Sequence, residues 1–345
     1  MRKIGVLTGG GDCPGLNAAI RAVVRKSDQM GYTVLGFHGG WKGLLSMSAV
    51  ELDLRAVSGI LPRGGTILGT SRTNPFKTKG GADKVIRNLE NFGLEALVAI
   101  GGEDTLGVAS RMFQKGVPVV GVPKTIDNDL MGTDFTIGFD TAVSIATEAI
   151  DRLHSTAESH NRVMIVEVMG RHAGWIATYA GLAGGADVIL IPEKPFKVHE
   201  VSDMIIRRHN RGKNFSICVV SEGAKIVEDG KEKLILHDSE LDDLGHVQLG
   251  GIGEILRKQL SKNTGFDTRV TSLGHVLRGG VPTAYDRVLA TRFGAAAVDL
   301  IAGKNFGKFP GLVNGRVEDV DLSVVEDNVK TVDLSLYEIA EVFFG

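Results

Sequence analysis

The chain has 345 residues and a formal net charge of −2 at pH 7. This length predicts about two domains, and the nearly neutral charge argues against a nucleic acid or a membrane surface as partner. Only two cysteines occur, so neither a disulfide scaffold nor a cysteine-rich metal site is expected. The first residues lack the apolar region of a signal peptide, and no apolar run reaches the roughly 20 residues of a membrane span. We therefore expect a soluble, cytoplasmic protein.

Strand-like and helix-like segments alternate along the chain, and the strand-like ones are nearly continuous runs of Val, Ile and other apolar residues. The predicted strands are Ile4–Thr8, Thr33–Phe37, Ala96–Ile100, Val117–Val122, Val163–Val168, Val188–Ile191, Ile217–Ser221 and Thr268–Leu273. The predicted helices are Gly15–Met30, Ala82–Asn91, Thr105–Lys115, Phe139–His160, Gly174–Leu182, Glu200–Asn210, Gly250–Ser261 and Ala284–Ala302. This alternation predicts an α/β fold with mainly parallel sheets covered by helices. In such sheets, ligands bind beyond the carboxyl ends of the strands.

Two regions depart from this alternation. The stretch from about Lys225 to Leu244 is rich in Lys, Glu and Asp and contains the turn signal Glu228-Asp229-Gly230. We expect it to be a solvated insertion with a short hairpin. The tail from Val313 alternates acidic residues with Val, a pattern that indicates no function.

Glycine is about twice as frequent as usual, with 46 residues that cluster after the predicted strands. The first cluster, Gly9 to Asn17, ends a strand and opens a helix, so its backbone N–H groups and the helix dipole can face a phosphate. The second, Gly64 to Thr73, carries Arg72, whose guanidinium can reach phosphoryl oxygens. Each segment alone is also compatible with an ordinary turn.

A third segment, Gly101-Gly102-Glu103-Asp104-Thr105, joins a strand to a helix. Carboxylates beside a phosphate need a cation between them, which makes Glu103 a candidate Mg²⁺ ligand; helix capping is the alternative explanation. Asp104 fills the space in which a glycine would admit the α-phosphate of a nucleotide. Two unit charges about 4 Å apart interact by roughly 4 kcal/mol at an effective dielectric of about 20, enough to decide between donors.

The fourth segment runs from Lys124 to Asp129. Lys124 supplies a cation suited to a compact, highly charged donor such as inorganic pyrophosphate. Asp127 can take a proton from an attacking hydroxyl, as phosphoryl transfer to an alcohol requires. If the segment is extended, Asp129 points the same way and can orient metal or substrate. Singly, each aspartate is also explained by an Asx turn, and Asp104 and Lys124 by exposed loop charges.

A fifth group of residues is suited to a phosphorylated acceptor, because arginine makes bidentate contacts with phosphate. Glu222 can bind sugar hydroxyls, and His275 can act as a neutral donor. The group consists of Arg162, Met169-Gly170-Arg171, Glu222, Arg269 and His275-Val276-Leu277-Arg278.

Together these segments resemble the phosphofructokinase family from Ile4 to about Phe293. The matching stretches are Gly9–Asn17, Gly101–Thr105, Pro123–Asp129, Met169–Trp175, Ser221–Gly223 and Gly274–Gly280. The combination is specific, because NAD kinases and lipid kinases share only the GGxDT-like loop. The resemblance implies the phosphofructokinase fold with two Rossmann-like lobes. Residues 1–138 with about 276–312 would form the larger donor lobe, 139–275 the smaller acceptor lobe, and 313–345 a C-terminal extension.

The resemblance also implies transfer of phosphate to the 1-hydroxyl of fructose 6-phosphate, with Asp127 as the base and Thr125 beside it. Gly11 and Arg72 would contact the donor phosphates, and Glu103, less certainly with Asp129, would bind Mg²⁺. Residues implied to hold the sugar phosphate are Met169, Gly170, Arg171, Glu222, His275 and Arg278. Arg162 and Arg269 match two arginines that family members insert into a neighbouring subunit's site, which implies a homodimer or homotetramer.

Donor choice follows from two departures within this resemblance. ATP-using members carry glycine where this chain has Asp104 and Lys124, whereas pyrophosphate-using members carry the acidic and basic pair. We therefore predict pyrophosphate as the donor, in a step expected to be reversible. The alternatives are an ATP-dependent enzyme of the family, a non-catalytic sugar-phosphate sensor, and a wider acceptor range that includes sedoheptulose 7-phosphate.

Overall fold

The computed structural model describes residues 2–241, 247–326 and 328–344. Its strands are β1 (Arg2–Thr8), β2 (Tyr32–Phe37), β3 (Ala49–Leu52), β4 (Ala96–Gly101), β5 (Val119–Pro123), β6 (Val163–Val168), β7 (Val188–Leu190), β8 (Ser216–Ser221), β9 (Lys225–Glu228), β10 (Lys231–Leu234), β11 (Leu236–Leu241), β12 (Val247–Leu249), β13 (Thr268–Ser272), β14 (Lys308–Val313) and β15 (Arg316–Asp321). Its helices are α1 (Leu16–Gln29), α2 (Trp41–Ser46), α3 (Gly81–Phe92), α4 (Glu103–Gln114), α5 (Phe139–His160), α6 (Trp175–Ala183), α7 (Val198–Asn210), α8 (Ile252–Thr264), α9 (Ala284–Ala302) and α10 (Leu334–Glu341).

The chain divides into two compact units, and it passes from one to the other three times. Unit 1 comprises Met1–Thr141 and Arg278–Val329, and unit 2 comprises Ala142–Leu277 and Lys330–Gly345. The final crossing lies between Val329, which forms a bridge to Leu130 in unit 1, and Lys330. Both units are therefore built from segments that are distant in sequence.

Unit 1 contains a sheet that, within the described residues, has seven strands in the order β15-β14-β5-β4-β1-β2-β3. The central pairs are parallel, and only the outer pairs β2–β3 and β14–β15 are antiparallel. Every residue of β4 is buried, as expected for a strand covered on both faces. Phe37, Trp41 and Phe309 lie in the core beside this sheet.

The first turns of α5 and α9 cap each other in unit 1. Asp286 of α9 accepts hydrogen bonds from the backbone N–H groups of Gly138 at 2.9 Å and Thr141 at 2.8 Å, and from the Thr141 hydroxyl at 2.5 Å. In return, the hydroxyl of Thr283 donates to the Asp140 carboxylate at 2.6 Å. The start of α5 is thus fixed by a helix that follows it by more than a hundred residues.

Unit 2 contains a parallel sheet with the strand order β13-β6-β8-β7, four strands among the described residues. Strands β6 and β8 are buried along their whole length, and their apolar side chains pack with those of α7 and α8, including Ile165, Val220, Ile205 and Leu256. The carboxyl ends of β6 and β8 are neighbours, since Val168 pairs with Ser221.

The α/β class, with mainly parallel sheets, is confirmed, and each predicted strand and helix is present to within a few residues. The predicted hairpin forms from β9 and β10 around Asp229 and Gly230, although residues 242–244 of that stretch lie outside the described residues. The β14–β15 hairpin and α10 were not predicted. No helix in the described ranges combines the length and apolar character needed to cross a membrane.

Candidate active site

The glycine-rich loop after β1 is joined to two neighbouring segments by its backbone. The N–H of Gly9 donates to the Ile100 carbonyl at 3.0 Å, and the N–H of Gly10 donates to the Ser71 carbonyl at 3.1 Å. The Thr70 hydroxyl donates to the Gly10 carbonyl at 2.5 Å. The segment that carries Arg72 is therefore held against the first glycine loop, as a joint phosphate site requires.

Asn17, on the first turn of α1, holds the same segment from its other end. Its side-chain amide donates to the carbonyls of Arg63 and Gly64 at 3.1 and 3.2 Å and accepts from the N–H of Ile67 at 2.8 Å. Asn17 lies inside a motif that the sequence singled out, but its contacts were not predicted. The signal available in the sequence was a polar residue among the apolar residues at the start of the predicted helix.

Arg278 lies against the first glycine loop. A Cβ atom added to Gly11 would lie 2.8 Å from Nη1 of Arg278, so a side chain at this position would displace the guanidinium. Arg278 belongs to unit 1 and His275, which is exposed, to unit 2. Both residues nevertheless lie on one short 3-10 helix, Gly274–Arg278.

Lys124 is almost completely buried, with 2% of its surface exposed, directly after β5. Its Nζ donates to the carbonyl of Gly9 at 3.2 Å and also to the carbonyl of Gly11. Burial lowers the pKa of Lys124, while nearby Cys13, Asp12 and Asp127 act in the opposite direction. The ammonium therefore lies beneath the glycine loop instead of being an exposed loop charge.

Glu103 and Asp104 are both half-buried in the first turn of α4. Their loop adjoins the loop after β5, because Gly101 pairs with Pro123 and a Cβ atom on Gly102 would lie 3.5 Å from the Lys124 carbonyl. Acidic side chains are stabilised at a helix N-terminus by the helix dipole. This position brings both carboxylates to the edge of the sheet where Lys124 lies.

The loop that carries Asp127 is folded around a buried asparagine. Asn128 has a φ of 52°; its side chain accepts from the N–H of Thr136 at 3.0 Å and donates to the carbonyl of Asp134 at 3.1 Å. The segment is therefore not extended at Asn128, because these two contacts favour a left-handed residue there. Asp127 and Asp129 are both half-buried, whereas Ile126, Asn128 and Leu130 are buried.

Thr125 contributes directly to the shape of this loop. Its hydroxyl oxygen accepts from the N–H of Asp127 at 3.1 Å, and its carbonyl accepts from the Thr136 hydroxyl at 2.6 Å. Cys13 is also buried nearby, and burial raises its pKa to about 12. At neutral pH this thiol is protonated, so it is not a nucleophile.

The described residues contain no cluster of three or more His, Cys, Asp or Glu side chains arranged to hold a metal ion. Glu103 and Asp129 thus do not form part of an all-protein metal cage. Mg²⁺ is commonly bound by one or two carboxylates together with substrate phosphates and water. The carboxylates at the ends of β4 and β5 fit that mode of binding.

In unit 2, the loop after β6 meets the loop after β8. The Gly170 carbonyl accepts from the Ser221 hydroxyl at 2.6 Å and from the N–H of Gly223 at 3.1 Å. Gly170 has a φ of 139°, and a Cβ atom there would overlap Ser221. These contacts bring the predicted acceptor residues Met169, Gly170 and Arg171 beside Glu222.

Arg162 and Arg269 lie together at the other end of the same sheet and share one carboxylate. Nε of Arg162 contacts Asp267 at 2.7 Å, and Nε of Arg269 contacts it at 3.2 Å. The Arg162 hydrogen bond, followed by the charges of both arginines, lowers the pKa of Asp267. Sequence reasoning selected both arginines but not the aspartate that joins them.

A family model described as Phosphofructokinase matches residues 3–301. The chain belongs to the phosphofructokinase family. A protein of Streptomyces coelicolor named pyrophosphate–fructose 6-phosphate 1-phosphotransferase is 59% identical over 345 residues, which cover 99% of this chain and 100% of that one. A protein of Corynebacterium efficiens named ATP-dependent 6-phosphofructokinase is 50% identical, with 99% of each chain covered.

The fold is similarly shared with solved phosphofructokinases. The crystal structure of Pichia pastoris phosphofructokinase in the T-state matches with a TM-score of 0.83 and 31% identity, covering 99% of this chain and 36% of that one. This phosphofructokinase chain therefore corresponds to about a third of the yeast chain. Because full-length relatives carry names with different donors, the donor has to be argued from individual residues.

Proposed function

We propose that this phosphofructokinase transfers a phosphoryl group from inorganic pyrophosphate to the 1-hydroxyl of fructose 6-phosphate. The products are fructose 1,6-bisphosphate and phosphate, and the step is reversible. The observation that carries the donor assignment is the pairing of an acidic first turn in α4 with a buried lysine beneath the glycine loop. The 59% identity to a relative named for this reaction supports the proposal.

Asp104 and Lys124 would set donor choice by opposite electrostatic effects. The Asp104 carboxylate at the start of α4 would occupy space and repel the α-phosphate of a nucleotide. Lys124 adds positive charge under the loop, where pyrophosphate concentrates its own charge. Pyrophosphate has no nucleoside, so nothing in it has to pass the carboxylate.

Asp127 would act as the general base. As the 1-hydroxyl oxygen of the sugar attacks phosphorus, its proton passes to the Asp127 carboxylate, the bond to the bridging oxygen breaks and phosphate leaves. Arg72, Lys124 and the N–H groups of the loop at Gly11 would stabilise charge on the transferring group. Thr125 holds the backbone of Asp127 through its hydroxyl, which fixes the base relative to β5.

Mg²⁺ would be held by Glu103, with Asp129 as a second candidate, together with the donor phosphates. When bound, it would neutralise charge on those phosphates and so assist departure of the leaving group. Because few protein ligands are available there, the proposed ion enters with the donor rather than as a permanently bound structural metal.

The acceptor would be bound by unit 2. Arg171 and Met169-Gly170 on the loop after β6, Glu222 after β8, and His275 and Arg278 after β13 would hold the sugar phosphate. The fixed Gly170 carbonyl favours a preformed loop, which lowers the entropic cost of binding.

Arg162 and Arg269 would serve the site of a neighbouring subunit in a homodimer or homotetramer. Arg162 precedes β6, whereas the loop that carries Met169, Gly170 and Arg171, called the acceptor loop, follows it. The six residues of β6 rise by about 3.3 Å each, so its two ends lie roughly 20 Å apart. The arginines are thus too far along the sheet to reach a phosphate at their own chain's loop. We also propose that the enzyme acts in the cytoplasm.

The proposal is tested by assaying fructose 6-phosphate phosphorylation with Mg²⁺ and a single donor, either pyrophosphate or ATP. Activity with pyrophosphate alone is expected. Activity with ATP alone would instead favour the second candidate, an ATP-dependent enzyme, for which the 50% identity to a relative of that name is the supporting observation. Binding of the sugar phosphate without turnover with either donor would indicate a sensor.

A further inference from the structure

The last residues of the chain are bonded to the same loop that is proposed to bind the sugar phosphate. We call residues 330–341 the terminal segment. The carboxylate of Glu193 accepts from the N–H of Gly174 at 3.0 and 3.1 Å with its two oxygens, and Oε1 also accepts from the N–H of Val332 at 2.9 Å. One side chain therefore joins the start of α6 to the terminal segment.

A second contact between the same two regions lies beside the first. The indole Nε1 of Trp175 donates to the Lys330 carbonyl at 2.8 Å, and Nζ of Lys330 lies 5.2 Å from the centroid of the Trp175 ring. Backbone groups of residues 330 and 332 are thus held by side chains from elsewhere in unit 2. Because these hydrogen bonds use backbone groups of the terminal segment, they do not depend on the side chains that the segment carries.

The rest of the terminal segment is anchored as well. The hydroxyl of buried Tyr337 donates to the Ile189 carbonyl at 2.6 Å, and Lys194 forms an ion pair with Glu341. Nζ of Lys194 also lies 5.0 Å from the centroid of the Tyr337 ring. The terminal segment is therefore held both at its first residues, near the loop after β6, and along α10.

The acceptor loop is fixed at two points that lie on either side of Arg171. The Gly170 carbonyl is bonded to the end of β8, and the Gly174 N–H is bonded to Glu193. Removing the second point would leave Arg171 on a loop anchored at one side only. A loop with more conformations must lose more entropy when it binds a phosphate.

We propose that Glu193, supported by the terminal segment, is a positioning residue for binding of the sugar phosphate. The inference rests on the proposed function, and it gives a role to the part of the chain whose pattern indicated none. Glu193 acts through the backbone of Gly174 and touches neither substrate. Charge-assisted hydrogen bonds to N–H groups are about twice as strong as neutral ones, so an amide cannot fully replace this carboxylate.

The test is steady-state kinetics of Glu193→Gln with pyrophosphate as donor. We expect KM for fructose 6-phosphate to rise about tenfold, while kcat and KM for pyrophosphate stay within twofold. Trp175→Phe, which keeps an aromatic ring but removes the indole N–H, should raise the same KM to a smaller extent. Glu200→Gln is the matched control, because it makes the same substitution at an exposed carboxylate of unit 2 that is paired with Lys197, and it should leave all three constants unchanged.

Hydrogen exchange on the wild-type protein provides a second measurement that needs no variant. Fructose 6-phosphate should slow exchange at the amides of Gly174 and Val332, and pyrophosphate should not. The inference is overturned if KM for fructose 6-phosphate is unchanged in Glu193→Gln, or if kcat and both KM values worsen equally. If that variant does not fold, the inference is overturned when fructose 6-phosphate does not slow hydrogen exchange at Val332 in the wild-type protein. If the wild-type protein does not phosphorylate fructose 6-phosphate, the proposed function is overturned. Only in that case do the proposed function and the role of Glu193 fail together.

Discussion

At the scale of single residues, Lys124 combines complete burial with a positive charge. The carbonyls of Gly9 and Gly11 accept hydrogen bonds from its ammonium, which offsets part of the cost of removing a charge from water. The sequence identified the lysine, but not these partners, because they lie 115 and 113 residues earlier in the chain. Only the pairing of β4 with β1 and β5 brings them together.

Replacement of Asp104 tests donor choice directly. Asp104→Gly should make ATP a measurable donor, because the carboxylate that repels a nucleotide α-phosphate is gone. The measurement is KM and kcat with each donor. Asp83→Gly is a matched control, since Asp83 is also an acid in the first turn of a helix in unit 1. ATP use that stays undetectable would show that Asp104 does not exclude nucleotides.

Asp267 is the residue that holds Arg162 and Arg269 together. In Asp267→Asn we expect a several-fold increase in KM for fructose 6-phosphate at unchanged kcat, because the two guanidinium groups would repel each other and separate. Combining it with Arg162→Ala in a double-mutant cycle should abolish most of the effect. Glu254→Gln, which removes another exposed carboxylate paired with an arginine, should have no effect. An equal change in KM in Asp267→Asn and in Glu254→Gln would contradict this role of Asp267.

At the scale of elements, the parallel strands were predictable because strands buried on both faces are mostly apolar, as β4, β6 and β8 are. The β14–β15 hairpin was not, because β15 (Arg316–Asp321) is largely exposed and carries acidic residues. The loop with Asn128 shows the same limit at the site. Its left-handed residue depends on contacts with Asp134 and Thr136 that no pattern of apolar residues records.

The capping of α5 by Asp286 leads to a prediction about stability. Asp286→Asn should destabilise the protein by about 1–3 kcal/mol at pH 7, because an amide offers fewer acceptors to Gly138 and Thr141. Burial raises the pKa of Asp286 from 3.8 to about 6, so the folded protein binds this proton more tightly than the unfolded chain does. Wild type therefore gains stability from this group as the pH falls from about 6 to about 4.

The Asn variant lacks this titration, so its stability deficit should widen in that pH range. Thermal unfolding of both proteins at pH 7 and at pH 4.5 measures the two deficits. A deficit of the same size at both pH values would show that Asp286 does not titrate between them.

At the scale of the whole molecule, the proposed exchange of arginines between subunits predicts complementation. Chains with Asp127→Ser and chains with Arg162→Ala should each be nearly inactive. When co-expressed, they should regain part of the activity, because a mixed oligomer contains sites with an intact base and an intact partner arginine. Asp127→Ser mixed with Glu222→Gln is the control. Both of those residues would serve their own chain's site, so no activity should return, and equal recovery in both mixtures would refute the exchange.

The division of each unit between distant segments also has a consequence for synthesis. Strand β5 ends at Pro123, but its neighbour β14 begins only at Lys308. At a synthesis rate of about 5–20 residues per second, roughly 10 to 40 s pass between the synthesis of β5 and that of β14. During that interval an unpaired strand edge is open to neighbouring nascent chains. The main segment of unit 2, although it starts later, is translated before unit 1 can close.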